Sequence, residues 1–368
     1  MRIVELLEPE PEDWWPLLPQ VGVREAVGLL PDGEQLRRWL KVGADGVIEW
    51  PSASQTAPAK GERCWELAHM ARLKDVYESQ GFSLVAMEDT PPLDLVRLGR
   101  PGRDEQIEWL CEMIAAMGKL GMHLLCYNWM AVRGWVRTDV AVVARGGALV
   151  SGYDDAVMRA TAPKLETSGL DGEGLWQNLR YFLDAVVPVA EEAGVVLAMH
   201  PDDPPLPFVG GIPRIMGGLS AFERLLSLSD SPANGITFCQ GNFRLMTDDL
   251  ESAIRRFGQR IGFVHLRDVH GTADRFRETF HDDGPTDLSA CVRVYSEVGF
   301  RGLVRADHVP TLAGEANGRP GYEVLGRLHA IGYIEGLRDA AYGKAGLLGG
   351  QLPGSNAERE QPQLGPRV

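Results

Sequence analysis

The chain has 368 residues, and its 37 lysines and arginines against 51 aspartates and glutamates give a formal net charge of −14 at pH 7 with histidine counted as neutral. This acidic balance, in a sequence without a concentrated basic patch, argues against binding to nucleic acid, whose phosphates need clustered positive charge. Glu5, Glu8 and Glu10 stand where a signal peptide would be apolar, and no apolar run reaches the ~18 residues that a membrane span needs.

Eight short apolar runs predict buried parallel strands, because a strand that is covered on both faces is apolar almost throughout. The predicted strands are Arg2–Leu7, Val23–Gly28, Ser83–Glu88, His123–Asn128, Val195–His200, Ile236–Gln240, Gly262–Arg267 and Gly302–Asp307.

Helical periodicity lies between these runs. Helices are predicted at Glu66–Gln80, Arg103–Leu120, Leu175–Ala193 and Leu288–Val298, and a glycine follows each of them. Eight strands that alternate with helices predict a (β/α)8 TIM barrel of the α/β class. The rival fold, a doubly wound open sheet, usually carries a GxGxxG turn, which this sequence lacks.

Two segments do not fit the repeat. Residues 31–62 predict an insertion after the second strand, with one short helix. We expect residues 1–342 to form a single catalytic domain. Residues 343–368 are rich in glycine, proline and glutamine, and they predict a disordered tail.

The five cysteines are few and odd in number, and they form no CxxC pair. This usage is typical of free thiols in a reducing compartment rather than of a disulfide framework. We therefore expect a cytoplasmic protein.

Ligand-type side chains stand at four consecutive predicted strand ends. His200 ends the fifth strand and Cys239 lies at the end of the sixth; His265 lies in the seventh, and Asp307 ends the eighth. We expect these side chains to meet, because the active sites of such barrels lie at the carboxyl ends of the strands. Taken singly, each would be assigned to core packing, but four in register predict a metal site. Zn²⁺, Mn²⁺ and Fe²⁺ all accept ligands of these types.

Further polar residues lie where they could reach a substrate. Asn128 ends the fourth predicted strand, and His281 and Asp283 lie in a polar loop after the seventh, which could equally be a solvated turn. Arg267 and Arg305 are candidates for a substrate carboxylate, since a guanidinium matches it with a planar fork. Ion pairs at the barrel rim are the alternative for both.

Seven strings in this order resemble the mannonate dehydratase family. They are CYNWMAVRGWVRTD (126–139), HPDDPP (200–205), CQGN (239–242), HLRDV (265–269), FHDDG (280–284), RADH (305–308) and PGYEVLGRLHAIGYIEGL (320–337). The resemblance runs from about residue 80 to residue 340. It implies a barrel related to xylose isomerases and a divalent metal, usually Mn²⁺, with Fe²⁺ as the alternative. The implied reaction converts D-mannonate to 2-keto-3-deoxy-D-gluconate and water in cytoplasmic hexuronate breakdown.

The family pattern implies the same four metal ligands that the strand ends predict. It also implies that His308 and Tyr322 transfer protons and that Arg305 lies near the substrate. Which of His308 and Tyr322 removes the proton from C2 stays open at this point. Asp307 and His308 are adjacent, and adjacent strand residues face opposite sides. Both can reach one site only if the chain leaves strand geometry at His308.

Departures from the family pattern leave other functions open. Ala306 stands where the family commonly has proline, and MEDTPP (87–92) stands where it tends to have ESIPV. The alternatives are a dehydratase of another sugar acid, a xylose-isomerase-like sugar isomerase or epimerase, and an inactive barrel that binds a sugar acid. Isomerase sites favour glutamate ligands, whereas the sixth strand offers Cys239. We expect a small sugar acid as the ligand and, since symmetric assemblies are common, a homo-oligomer.

Overall fold

The computed structural model describes residues 1–34, 59–163 and 169–343, together with the strands Lys41–Val42 and Ile48–Glu49. Its main feature is a barrel of eight parallel strands. They are β1 (Arg2–Ile3 and Glu5–Leu7), β2 (Glu25–Gly28), β3 (Ser83–Met87), β4 (Leu124–Asn128), β5 (Val196–His200), β6 (Asn234–Cys239), β7 (Ile261–Leu266) and β8 (Leu303–Ala306).

Strand β1 closes the barrel because its two pieces pair with different neighbours. Arg2–Ile3 pairs with β8, and Glu5–Leu7 pairs with β2. The remaining strands pair in chain order, so every barrel strand has two parallel neighbours. The predicted TIM barrel is confirmed, and the predicted strands agree with the observed ones to within two residues at each end.

Helices cover the outside of the barrel. They are α1 (Leu67–Ser79), α2 (Asp94–Arg97), α3 (Arg103–Leu120), α4 (Asp155–Thr161), α5 (Gly172–Ala193), α6 (Leu219–Leu228), α7 (Gln240–Met246), α8 (Leu250–Phe257), α9 (Leu288–Glu297) and α10 (Val324–Tyr342), with short 3₁₀ helices at Trp15–Leu17, Pro19–Val21, Arg145–Gly147 and Gly258–Arg260. Gly121 and Gly194 cap α3 and α5 with φ of 77° and 66°, a left-handed conformation that glycine adopts without strain. None of the helices in the described ranges is long and apolar enough to cross a membrane.

A second sheet stands at the carboxyl end of the barrel. Its four antiparallel strands lie in the order Val269–Thr272, Arg275–Glu278, Leu149–Asp154 and Asp139–Val143. Because they follow β4 and β7 in the chain, these strands extend the ends of the barrel strands and return the chain to the barrel mouth. A smaller pair, Phe208–Val209 with Ile212–Pro213, follows β5.

Within the predicted insertion, Lys41–Val42 pairs with Ile48–Glu49. The short helix predicted there and the disorder predicted for the tail fall on residues 35–40, 43–47, 50–58 and 344–368, which lie outside the described residues.

Two apolar layers surround the barrel wall. In β4, Leu124 and Cys126 face the barrel interior, whereas Leu125 and Tyr127 pack against the helices. This is the alternation that a strand produces when both of its faces are buried. The apolar interior therefore fills the barrel and leaves polar side chains to gather at the carboxyl ends of the strands.

Candidate metal centre and active-site cavity

A cavity opens at the carboxyl end of the barrel. The residues that line it include Glu88, Asn128, His200, Arg305, Asp307, His308 and Tyr322. Most of these side chains are buried and charged or polar. Ligand sites of TIM barrels lie at this end, so the cavity is the candidate active site.

The four predicted metal ligands lie together beside this cavity. The ligand atoms of His200, Cys239 and His265 are all within 4.8 Å of one another. Asp307 Oδ2 lies 3.7 Å from Cys239 Sγ and 3.8 Å from His265 Nδ1. The structure therefore brings the four strand ends into one cluster, and the role of the cluster as a ligand set remains a proposal.

The two histidines of this cluster have ring nitrogens that suit a metal. His200 Nδ1 lies 2.7 Å from the carbonyl oxygen of Pro201 and donates to it, which leaves Nε2 as a lone-pair donor. Within the described part of the chain, neither ring nitrogen of the buried His265 has a hydrogen bond, and Glu88 Oε2 lies 3.4 Å from Nε2. Buried nitrogens without partners are rare and need an explanation. A divalent cation would supply one here.

Cys239 is held as an acceptor. Arg267 Nε lies 3.3 Å from its sulfur, and Asn242 Nδ2 lies 3.4 Å from it. Both N–H groups donate to the sulfur, and a cysteine binds a metal through this atom as the thiolate. Gly241 makes room for the arginine, because a Cβ at this position would lie 2.9 Å from Arg267 Nη1. The donor set of imidazole, thiolate and carboxylate fits a first-row divalent metal.

Two buried arginines and two carboxylates form a closed ring beside the cluster. Arg137 binds Asp203 at 2.7 and 3.0 Å and Glu278 at 2.5 Å. Arg267 binds Glu278 at 2.7 and 2.9 Å and Asp203 at 2.9 Å. Burial alone would raise the pKa of Glu278, but the two arginines outweigh burial and hold it at about 2. Both carboxylates are therefore anions at neutral pH.

Arg267 also joins this ring to the metal cluster. Its Nε lies 3.0 Å from Asp307 Oδ2, and the side chain is fully buried. Thus one guanidinium contacts a predicted thiolate ligand, a predicted carboxylate ligand and both carboxylates of the ring.

His308 and Tyr322, the predicted proton-transfer groups, both line the cavity and lie next to each other. Their ring centroids are 5.4 Å apart, and Trp135 covers the His308 ring at 4.9 Å. Tyr322 Oη donates to Asp307 Oδ1 at 3.4 Å. Burial raises the pKa of Tyr322, and the negative charge of Asp307 raises it further, so the phenol stays protonated.

Arg305 is held by carboxylates on two sides. Its Nε and Nη2 donate to the two oxygens of Glu88 at 2.9 and 2.8 Å, and its Nη1 lies 3.0 Å from Asp307 Oδ1. The predicted position near the substrate is consistent with the cavity, since Arg305 lines it. The guanidinium reaches the cavity as part of an ion pair with Glu88.

The remaining predicted substrate ligands differ in placement. Asn128 lines the cavity, and its Oδ1 accepts a hydrogen bond from the Met130 backbone at 3.1 Å. Arg267 lies behind the cavity in the ionic ring. His281 is buried, its Nε2 lies 2.7 Å from the Leu266 carbonyl, and burial lowers its pKa to about 4. Asp283 is exposed on the loop. The structure does not bring the last three side chains to the cavity wall.

Four charged residues at or beside the site are not among those predicted from the sequence: Glu88, Arg137, Asp203 and Glu278. The strand-end rule that points to the four candidate ligands would also have pointed to Glu88, because this residue directly follows β3. Arg137 lies inside one of the family-like strings, but no local pattern shows that its side chain is buried. Glu278 lies in a charged loop segment that resembles a solvated turn.

Three comparisons bear on the identity of this site. A family model described as D-mannonate dehydratase (UxuA) matches residues 31–168 and 164–345. A mannonate dehydratase of Enterococcus faecalis is 34% identical over 314 residues, which cover 76% of this chain and 87% of that protein. The crystal structure of mannonate dehydratase from Streptococcus suis serotype 2 matches with a TM-score of 0.79 at 28% identity, covering 98% and 99% of the two chains. An L-ribulose 3-epimerase structure, at 13% identity and a TM-score of 0.56, shares the fold.

Proposed function

Since the chain belongs to the mannonate dehydratase family, we propose that it removes water from D-mannonate and forms 2-keto-3-deoxy-D-gluconate at a divalent metal ion. Membership of this family makes the protein a hydro-lyase. The observation that supports the proposal most directly is the buried cluster of four ligand-type side chains beside the cavity that His308 and Tyr322 line.

The metal would be held by His200, Cys239, His265 and Asp307. Mn²⁺ is the first candidate and Fe²⁺ the second, since both accept imidazole and carboxylate ligands. When bound, the ion would act as a Lewis acid toward the carboxylate of the sugar acid and stabilise the charge that develops there. The ring nitrogens of His265, which make no hydrogen bond within the described residues, support this assignment.

The reaction removes a proton from C2 and a hydroxyl group from C3. As the C2–H bond breaks, its electron pair forms a double bond between C2 and C3, and the C3–O bond breaks. A proton that is supplied to the departing oxygen completes the water molecule. The resulting enol takes a proton at C3 and gives up the proton of its C2 hydroxyl, which yields the 2-keto acid, so the atoms of substrate equal those of product and water.

We assign the base at C2 to His308 and the proton donor at C3 to Tyr322. The raised pKa of Tyr322 keeps its phenol protonated, as a donor must be. Imidazole is the usual general base near neutral pH. His308 lies on the same cavity wall, 5.4 Å from the tyrosine ring between centroids. Arg305 acts through Glu88 and Asp307, whose carboxylates it holds in place.

Two further properties belong to the proposal. We expect the enzyme to act in the cytoplasm on acids derived from hexuronates, and the five cysteines, all free, support a reducing compartment. We also expect a homo-oligomer, which sedimentation at micromolar concentration would measure.

The test is turnover of metal-stripped protein that is given Mn²⁺ and D-mannonate, with the 2-keto-3-deoxy acid as readout. We expect product with Mn²⁺ and none after a chelator is added. The same assay with Fe²⁺ under anaerobic conditions ranks the two metals. If D-mannonate fails while another aldonate or a ketose reacts, the substrate assignment is wrong.

A further inference from the structure

We infer that Glu278 is a positioning residue that fixes His308 in the tautomer with the proton on Nδ1, so that Nε2 is the nitrogen that takes the substrate proton. This inference rests on the proposed function for its catalytic consequence. Glu278 ends the strand Arg275–Glu278 of the second sheet, and its carboxylate is buried. Its Oε1 lies 3.0 Å from His308 Nδ1.

The donors and acceptors around His308 Nδ1 determine which group donates in its hydrogen bond with Glu278. Glu278 is an anion and can only accept. Arg137 Nη2 also lies near His308 Nδ1, at 2.9 Å, but this nitrogen carries two hydrogens. It points them at Asp203 Oδ2 at 3.0 Å and Glu278 Oε1 at 2.5 Å, and carboxylates are stronger acceptors than neutral imidazole. His308 Nδ1 therefore donates to Glu278.

The surroundings keep this geometry rigid. Arg137 and Arg267 donate hydrogen bonds to the carboxylate of Glu278, and these bonds fix its orientation toward His308. The rings of Trp135 and Tyr322 lie against the imidazole, with centroids at 4.9 and 5.4 Å. The ring thus has one orientation, in which Nδ1 faces Glu278.

The charge of Glu278 also matters after proton transfer. An imidazole that has accepted a proton becomes a cation, and a buried carboxylate on its other nitrogen stabilises that cation. Without Glu278, the positive charges of Arg137 and Arg267 would disfavour a second positive charge on the His308 ring. Glu278, shared between the arginines and His308, offsets that repulsion.

The first experiment compares Glu278→Gln with wild type in steady-state turnover of D-mannonate by the Mn²⁺-loaded full chain. Glutamine keeps the size but loses the charge, and its amide can donate to Nδ1 and favour the wrong tautomer. We expect kcat to fall by at least about 100-fold, as for other histidine bases with a neutralised carboxylate partner. KM and metal content should change little. The kinetic isotope effect with C2-deuterated substrate should rise, because proton removal becomes slower.

The matched control is Glu5→Gln. Glu5 is also buried and paired with an arginine, Arg327 at 3.0 Å, but its hydrogen bonds go to that arginine and to the Leu6 backbone rather than to His308. A kcat that falls equally in both variants, or an unchanged isotope effect in Glu278→Gln, would contradict the inference and indicate a structural role.

A second measurement does not depend on the substrate. Nitrogen-15 NMR of histidine-labelled wild type, with diamagnetic Mg²⁺ added, reports which ring nitrogen of His308 carries the proton, and His308→Asn assigns the signal. We expect Nδ1–H. The Nε2–H tautomer would overturn the inference even if Glu278→Gln fails to fold. An Nδ1–H tautomer in a protein that does not dehydrate D-mannonate would leave the inference standing and reject the proposed function.

Discussion

Asp307 and His308 are consecutive residues, and both of their side chains line the same cavity, with Asp307 Oδ1 3.8 Å from His308 Nε2. Strand β8 ends at Ala306, and the backbone of His308 has a φ of 39°, in the left-handed region. This turn out of strand geometry brings two neighbouring side chains to one side. A proposed metal ligand and a proposed base are thus adjacent in sequence but separable in function.

His308→Asn should keep the metal and lose turnover. The change removes the base at C2 and leaves the four ligands, so kcat should fall by at least about 100-fold, within the range for lost general base catalysis. Metal content by mass spectrometry and product formation are measured on the same sample. Asp307→Asn is the control, and it should lose metal and turnover together. A His308→Asn protein that lost the metal but turned over after Mn²⁺ was added would reverse the two roles.

His265→Ala should abolish stabilisation by Mn²⁺. A ligand that binds only the folded state stabilises it by about 2.7 kcal/mol at 100 times its dissociation constant, which raises the melting temperature of wild type. Without His265 this rise should disappear or need far more metal. His281→Ala is the matched control, because His281 is equally buried but binds the Leu266 carbonyl. If both variants keep the wild-type rise, His265 is not a ligand.

The positions of the four proposed ligands could be predicted because the barrel fixes where its strands end. Parallel strands in a barrel end at one rim, so a ligand-type residue at a strand end has a known location. His200 and Cys239 end their strands as expected, and Asp307 follows the last residue of β8. The pattern of strands in the sequence was therefore enough to predict that these strand-end side chains lie together.

The ionic ring could not be predicted, because its position depends on the path of the second sheet. Glu278 reaches His308 only because Arg275–Glu278 pairs on both sides within that sheet, with Val269–Thr272 and with Leu149–Asp154. In sequence, Arg137 and Glu278 are 141 residues apart, and charged residues in loops are usually solvated. The positive φ at His308 has no clear local sequence signal either, since only a few per cent of non-glycine residues adopt it and the residue type alone does not mark which ones.

Asp283→Asn should leave catalysis unchanged. The side chain is exposed and does not line the cavity, and substitutions at such positions usually have small effects. We expect kcat and KM within about twofold of wild type, which is the scale of such surface changes. Asn128→Ala is the comparison. Because Asn128 lines the cavity, its replacement should raise KM. A large KM increase in Asp283→Asn would restore its predicted role in substrate binding.

Acid should destabilise the protein partly through Glu88. Burial would raise the pKa of this carboxyl, but the Arg305 guanidinium outweighs burial, and the pKa lies at about 2 against an ordinary value of 4.5. The unfolded chain therefore binds this proton more readily than the folded one, so the contribution is present above pH 4.5 and is lost as the pH falls toward 2. The double variant Glu88→Gln, Arg305→Met removes both charges. In urea unfolding of metal-free protein, its free energy of unfolding should fall less steeply than that of wild type across this window. If the free energy of unfolding falls equally steeply with pH in both proteins, protonation of Glu88 does not contribute to the acid sensitivity.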